Sequence, residues 1–252
     1  MTPNTENPPI IPIAGHWLGA WAWDEVLDHL NTSQLHALAI TLPGLESEDP
    51  QRAARTLADQ AAAIQDVMTQ AGASREGPAV IVAHSGANAP VSLVLDHDPE
   101  LIQKVVWVDS GPVAPGSSFA PDLLESVTEL PLPPFDALAE QASLEGLSAE
   151  VLERFRARAV PEPAPVLRES VALSNEARRR VSTTLVCCSL PGAQVLELAR
   201  TGHPMFAEVT TLEDLDVVDL PTGHWPMWSR PRDLAEVIAR AASQTRGAAR
   251  TA

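Results

Sequence analysis

The segment Ala79-Val-Ile-Val-Ala-His-Ser-Gly-Ala87 constrains this chain more than any other. An unbroken apolar run of this length suits a strand buried on both faces, as in parallel sheets. It leads straight into Ser85, and a helical pattern follows from Ala87 to His97, with Pro90 in the first turn where proline is tolerated. A serine at a tight strand-to-helix turn needs small neighbours two residues before and after, because the backbones crowd there; this is the pattern of a nucleophile elbow. Here both outer positions are alanine, Ala83 and Ala87, in place of the usual glycines. A serine can also simply cap the helix after it. The strand, the small flanking residues and the partners below favour a nucleophile.

Further apolar runs at 10–14, 35–42, 105–108, 184–189 and 215–220 read as strands, and amphipathic patterns at 21–30, 56–71 and 232–242 read as helices. Their alternation predicts an α/β fold with a mostly parallel central sheet and helices on both faces. Between Gly111 and Arg180 the chain is rich in proline and acidic residues, so a helical insertion without strands is expected there, placed as a lid. Residues 1–9 read as a disordered tail, and 10–252 as one domain. A domain of this size needs no disulfide or metal to fold.

With 17 basic against 33 acidic residues the formal net charge is -16, which repels phosphate backbones and anionic membranes. Neither nucleic acid nor a membrane is an expected partner. The N-terminus has no basic and apolar signal-like pattern, and Cys187 and Cys188 are adjacent in an apolar run, where pairing with each other would be strained. A cytoplasmic protein with buried thiols is expected, and self-association stays open. No metal-ligand spacing and no phosphate-binding glycine pattern occurs, so no cofactor is expected.

Three further segments join the elbow. They are Ile13-Ala-Gly-His-Trp-Leu-Gly-Ala-Trp-Ala-Trp23, Leu42-Pro-Gly-Leu-Glu-Ser47 and Leu220-Pro-Thr-Gly-His-Trp-Pro-Met-Trp228. Together they resemble the α/β-hydrolase family: its oxyanion loop, with Ala14 where the family usually has His; its Pro-Gly loop; and its terminal Gly-His. A serine hydroxyl needs an imidazole to take its proton. His224, behind Gly223 and after the last strand, stands where the resemblance puts that base. His203 is a weaker candidate.

Most family members carry the triad acid after the strand that ends here near Ser189, yet no carboxylate follows until Glu197. Asp109 ends the preceding strand and is the expected acid, ahead of Asp219 and Asp214. The resemblance implies an oxyanion hole from the N–H groups of His16 and Gly86. Trp17, His84, Trp225 and Trp228 are expected to line a substrate pocket, with Phe119, Leu132, Phe135 and Phe155 closing over it.

The expected activity is cleavage of a small, fairly apolar carboxylic ester or lactone through Ser85, His224 and Asp109. Two other readings use the same residues. One is cofactor-independent dioxygenase or lyase chemistry, which the acid at Asp109 resembles; the other is a hydrolase-fold ligand receptor.

Overall fold

The computed structural model describes residues 7–243, so the first six residues of the expected tail lie outside it. Seven strands occur among the described residues: β1 (Ile10–Ile13), β2 (Ala79–His84), β3 (Ile102–Val108), β4 (Glu129–Leu130), β5 (Glu162–Pro163), β6 (Ser182–Cys187) and β7 (Leu215–Asp219). The helices are α1 (Asp24–Thr32), α2 (Leu57–Gln70), α3 (Asn88–His97), α4 (Phe135–Ala139), α5 (Ala149–Arg158), α6 (Ala164–Arg168), α7 (Gly192–Arg200), α8 (Pro226–Ser229) and α9 (Pro231–Ser243). The main sheet runs β1-β2-β3-β6-β7, and every pair in it is parallel.

Side chains alternate across this sheet and so divide the core in two. Ile10, Val80, Val82, Val106, Val108 and Val186 point to the layer containing α1 and α9. Ile11, Ile13, Ile81, Ala83, Val105 and Leu185 point to the layer containing α2, α3 and α7. Each such valine or isoleucine, fully withdrawn from water, contributes about 1.5–3 kcal/mol, which is why the strands read as continuous apolar runs. Helix α2 starts at a capping box, in which Thr56 and Asp59 each take the other's backbone N–H.

The run at 35–42 does not become a strand. Its residues reach β1 only through bridges Ile10↔Ala37 and Ile13↔Ile40. The ladder has Ile10 N–H to His36 O, Leu38 N–H to Ile10 O and Ile40 N–H to Pro12 O. The rung between the last two would need an N–H from Pro12 to Leu38 O, and proline has none. After this edge contact the chain crosses back to lay β2 on the other side of β1. In open α/β sheets ligands bind beyond the C-terminal ends of the strands at such a reversal.

The inserted segment between β3 and β6 contains α4, α5 and α6, and also the antiparallel pair β4–β5. Strands were not expected here. Two residues apiece are too short to leave a periodic trace. Several hydrogen bonds tie the segment to the sheet domain, four of them at Trp17, Leu57 and His224. Trp17 Nε1–H donates to Leu130 O (3.0 Å) and Val160 N–H to Trp17 O (3.0 Å). Leu57 N–H donates to Glu169 (2.7 Å) and His224 N–H to Ser143 O (2.8 Å). At Gly223 a Cβ would lie 2.5 Å from Glu145 O, so only glycine lets the two backbones meet.

Candidate active site

Ser85 stands at the turn between β2 and α3 with φ +50°, a left-handed conformation that costs a non-glycine residue about 1–3 kcal/mol. The surrounding backbone holds it there. A Cβ on Gly15 would lie 2.6 Å from Ser85 Cβ and 2.9 Å from Gly86 N, so the loop after β1 presses directly on the turn. From the other side the Ser110 hydroxyl donates to Ser85 O at 3.0 Å.

His224, in the loop between β7 and α8, has Nε2 2.8 Å from Ser85 Oγ. Its Nδ1 lies 2.6 Å from Asp109 Oδ2. Asp109 follows β3, also with positive φ (+43°). Its Oδ1 accepts the N–H groups of Cys188 (3.0 Å) and Ser189 (2.9 Å), and its Oδ2 accepts the Ser189 hydroxyl (2.6 Å). Burial works to raise this carboxyl, but the hydrogen bonds and charge of His224, with those of Ser189, outweigh it and hold it at about 2. An ionised Asp109 accepts Nδ1–H, which leaves the Nε2 lone pair facing the serine hydroxyl. The loop after β6 carries no acid of its own and instead supplies the donors that hold the acid of β3.

The remaining sequence-predicted residues separate into those at the front of the site and those behind it. His84 is buried beneath His224, where Gly15 N–H donates to its Nδ1 (3.4 Å) and its Nε2 bonds His224 O (2.8 Å). Burial, reinforced by the nearby His224, pushes its imidazole down to about 3. A neutral His84 therefore links the loops that carry Gly15 and His224. Trp225 packs edge-on to His224 (4.9 Å) and against Phe155 (5.4 Å). Trp228 is stacked on Trp21 at 5.5 Å within the core, and Phe135 and Phe155 join the same aromatic group. Leu132 packs against this core as well. Of the four expected covering residues, Phe155 packs on Trp225 and Trp228, and Phe119 has its ring 4.4 Å from that of His16.

Gly86 N–H lies in the first turn after the elbow, where N–H groups have no intrahelical acceptor. The His16 ring takes the space a Gly86 side chain would need, with Nε2 2.3 Å from the Cβ position. Its Nδ1 lies 3.1 Å from Glu162 Oε2 in the inserted segment, and the same oxygen accepts Trp17 N–H at 3.2 Å. These bonds hold Trp17 at φ +66°. Glu162 went unnoticed in the sequence because an acid between prolines reads as exposed loop; it is 1% exposed.

A cavity of about 110 Å³ adjoins the site, lined by Asp109, Ser189, Leu190, Phe206 and His224 among others. The weaker candidates lie elsewhere. His203 caps the turn after α7, Asp219 accepts Gly192 N–H at the start of α7 (2.6 Å), and Asp214 precedes β7.

A model of the alpha/beta hydrolase family matches residues 11–237. The chain belongs to this family of enzymes. Its solved neighbours share the alpha/beta hydrolase fold. An extracellular alpha/beta-hydrolase from a Paenibacillus species is 17% identical, with TM-score 0.73, covering 94% of this chain and 100% of its own. A methylesterase from Arabidopsis is 15% identical, with TM-score 0.71, over 94% and 99% of the two chains. A pyrethroid hydrolase from Sphingobium faniae is 18% identical, with TM-score 0.66, over 93% and 97%. A search among curated proteins finds no match. Among the described residues no helix is long and apolar enough to cross a membrane.

Proposed function

We propose that this alpha/beta hydrolase is a serine hydrolase of small, fairly apolar carboxylic esters or lactones. The observation that carries the reading is the continuous chain Asp109–His224–Ser85, with contacts of 2.6 and 2.8 Å. In this mechanism Ser85 Oγ attacks the substrate carbonyl while His224 Nε2 takes its proton. Asp109 keeps the imidazole in one tautomer and stabilises the imidazolium that forms. The N–H groups of Gly86 and His16 receive the developing oxyanion. His224 then protonates the leaving alkoxide, and water, activated by the same imidazole, hydrolyses the acyl-enzyme. The neighbours described as a methylesterase and a pyrethroid hydrolase support ester chemistry on this fold.

The test is intact-mass analysis after exposure to a fluorophosphonate. A single adduct on the wild type, absent from Ser85→Ala, is the expected result. Absence of an adduct on folded wild type would remove the hydrolase reading.

A further inference from the structure

Trp17, at φ +66°, is a bulky residue in the left-handed region, a conformation that persists only where its surroundings over-determine it. The bonds that do so come from the inserted segment. Glu162 Oε2 on β5 accepts Trp17 N–H at 3.2 Å, and Val160 N–H donates to Trp17 O at 3.0 Å. Trp17 Nε1–H donates to Leu130 O on β4 at 3.0 Å. The Glu162 carboxylate is buried, and its Oε2 also lies 3.1 Å from His16 Nδ1. Burying an acid is costly unless it is well bonded, and both of these partners belong to the loop after β1. The sheet fixes the other side of that loop: Gly15 N–H donates to His84 Nδ1 at 3.4 Å, and the Gly15 backbone presses on Ser85. His16 N–H sits between these two anchors. Helix α5 keeps the inserted segment in place, with Arg154 bonded to Glu25 at 2.9 Å and the Arg158 guanidinium 4.5 Å over the Trp21 ring.

We infer that Glu162 is a positioning residue for catalysis: by holding Trp17 N–H it sets the backbone of the loop after β1, and so the place of the His16 N–H that receives the oxyanion. The inserted segment is then a working part of the oxyanion hole and not only a cover over it. The role needs only an oxygen facing Trp17 N–H, so it holds whatever the proton count on the His16 ring. It rests on the serine-hydrolase reading for the use made of His16 N–H.

The test follows the rate of Ser85 labelling against fluorophosphonate concentration, which separates the limiting rate from reagent affinity. Ser85 Oγ bonds phosphorus, its proton goes to His224 and fluoride leaves, while the P=O oxygen takes the oxyanion position; the limiting rate therefore reports on the loop. Glu162→Ala should lower that rate about 10²-fold with affinity held within about twofold, as when an oxyanion donor is displaced. Glu162→Gln keeps an oxygen facing Trp17 N–H and should stay within about threefold of wild type. Thermal melts check folding. If Glu162→Ala does not fold, Glu162→Asp takes its place; its carboxyl stops one carbon–carbon bond short, and the expected loss is about tenfold. An undiminished rate in the folded Ala or Asp variant, a fall confined to affinity, or a Gln variant as slow as the shortened one overturns the proposal and leaves the hydrolase reading standing. No labelling of folded wild type removes both.

Discussion

The two imidazole–carboxylate pairs flanking Ser85 are built from different parts of the chain. In the His224–Asp109 pair both members follow strands of the main sheet, and the donors to Asp109 come from the loop after neighbouring β6. In the His16–Glu162 pair the acid lies on β5 of the inserted segment and reaches across to the loop after β1. The first pair is complete within the sheet domain. The second exists only while the inserted segment sits on Trp17. In the proposed mechanism proton transfer therefore rests on loops of the main sheet, whereas the His16–Glu162 pair depends on the junction with the insertion.

Substitutions can break this contrast at graded strength. Ser85→Ala should lower ester hydrolysis by about 10⁴-fold or more while leaving the fold intact, read by steady-state rates beside a thermal melt. Asp109→Asn should lower kcat by about 10³–10⁴-fold, because a neutral amide no longer enforces the Nδ1–H tautomer.

Gly223→Ala forces a Cβ to within 2.5 Å of Glu145 O. Overpacking of that kind should cost about 1–3 kcal/mol in urea unfolding, and this variant should disturb both pairs together.

Acid should weaken the sheet-borne side in a defined window. His84 ordinarily titrates near 6.5 and in the fold near 3, so between those values the unfolded chain binds a proton that the fold refuses. Stability should therefore fall as pH drops from about 6.5 towards 3. Asp109 adds a further loss as pH falls from its ordinary 3.8 towards 2. Urea unfolding across pH 4–7 checks the sign, and His84→Gln should flatten the upper part of that slope. The smallest effect belongs to Arg52→Ala, which removes the partly exposed Arg52–Glu129 pair at β4. It should cost no more than about 1 kcal/mol and leave fluorophosphonate labelling unchanged.

The sheet was legible in the sequence because strands buried on both faces leave continuous apolar runs, as Val80–Val82 and Val105–Val108 do. The segment at 35–42 misled because its apolar pattern is real while its partner Pro12 lacks the N–H that a full ladder needs. Ser85, His224 and Asp109 were traceable because each stands where a strand ends and must turn. Glu162 was not. Its partner His16 is 146 residues earlier in the chain, and nothing near an acid between two prolines announces that a distant loop will bury it.

Cys187 and Cys188 are consecutive, yet one side chain belongs to the core layer of α2, α3 and α7 and the other to that of α1 and α9. Burial, with the charges of nearby acids, pushes the Cys187 thiol up to about 12 and raises Cys188 as well, so neither offers a thiolate while the fold is closed. An alkylating reagent must wait for one layer to lift away. The adjacent thiols thus form a two-channel clock within a single peptide, and the order in which they acquire label would report which side of the sheet opens first.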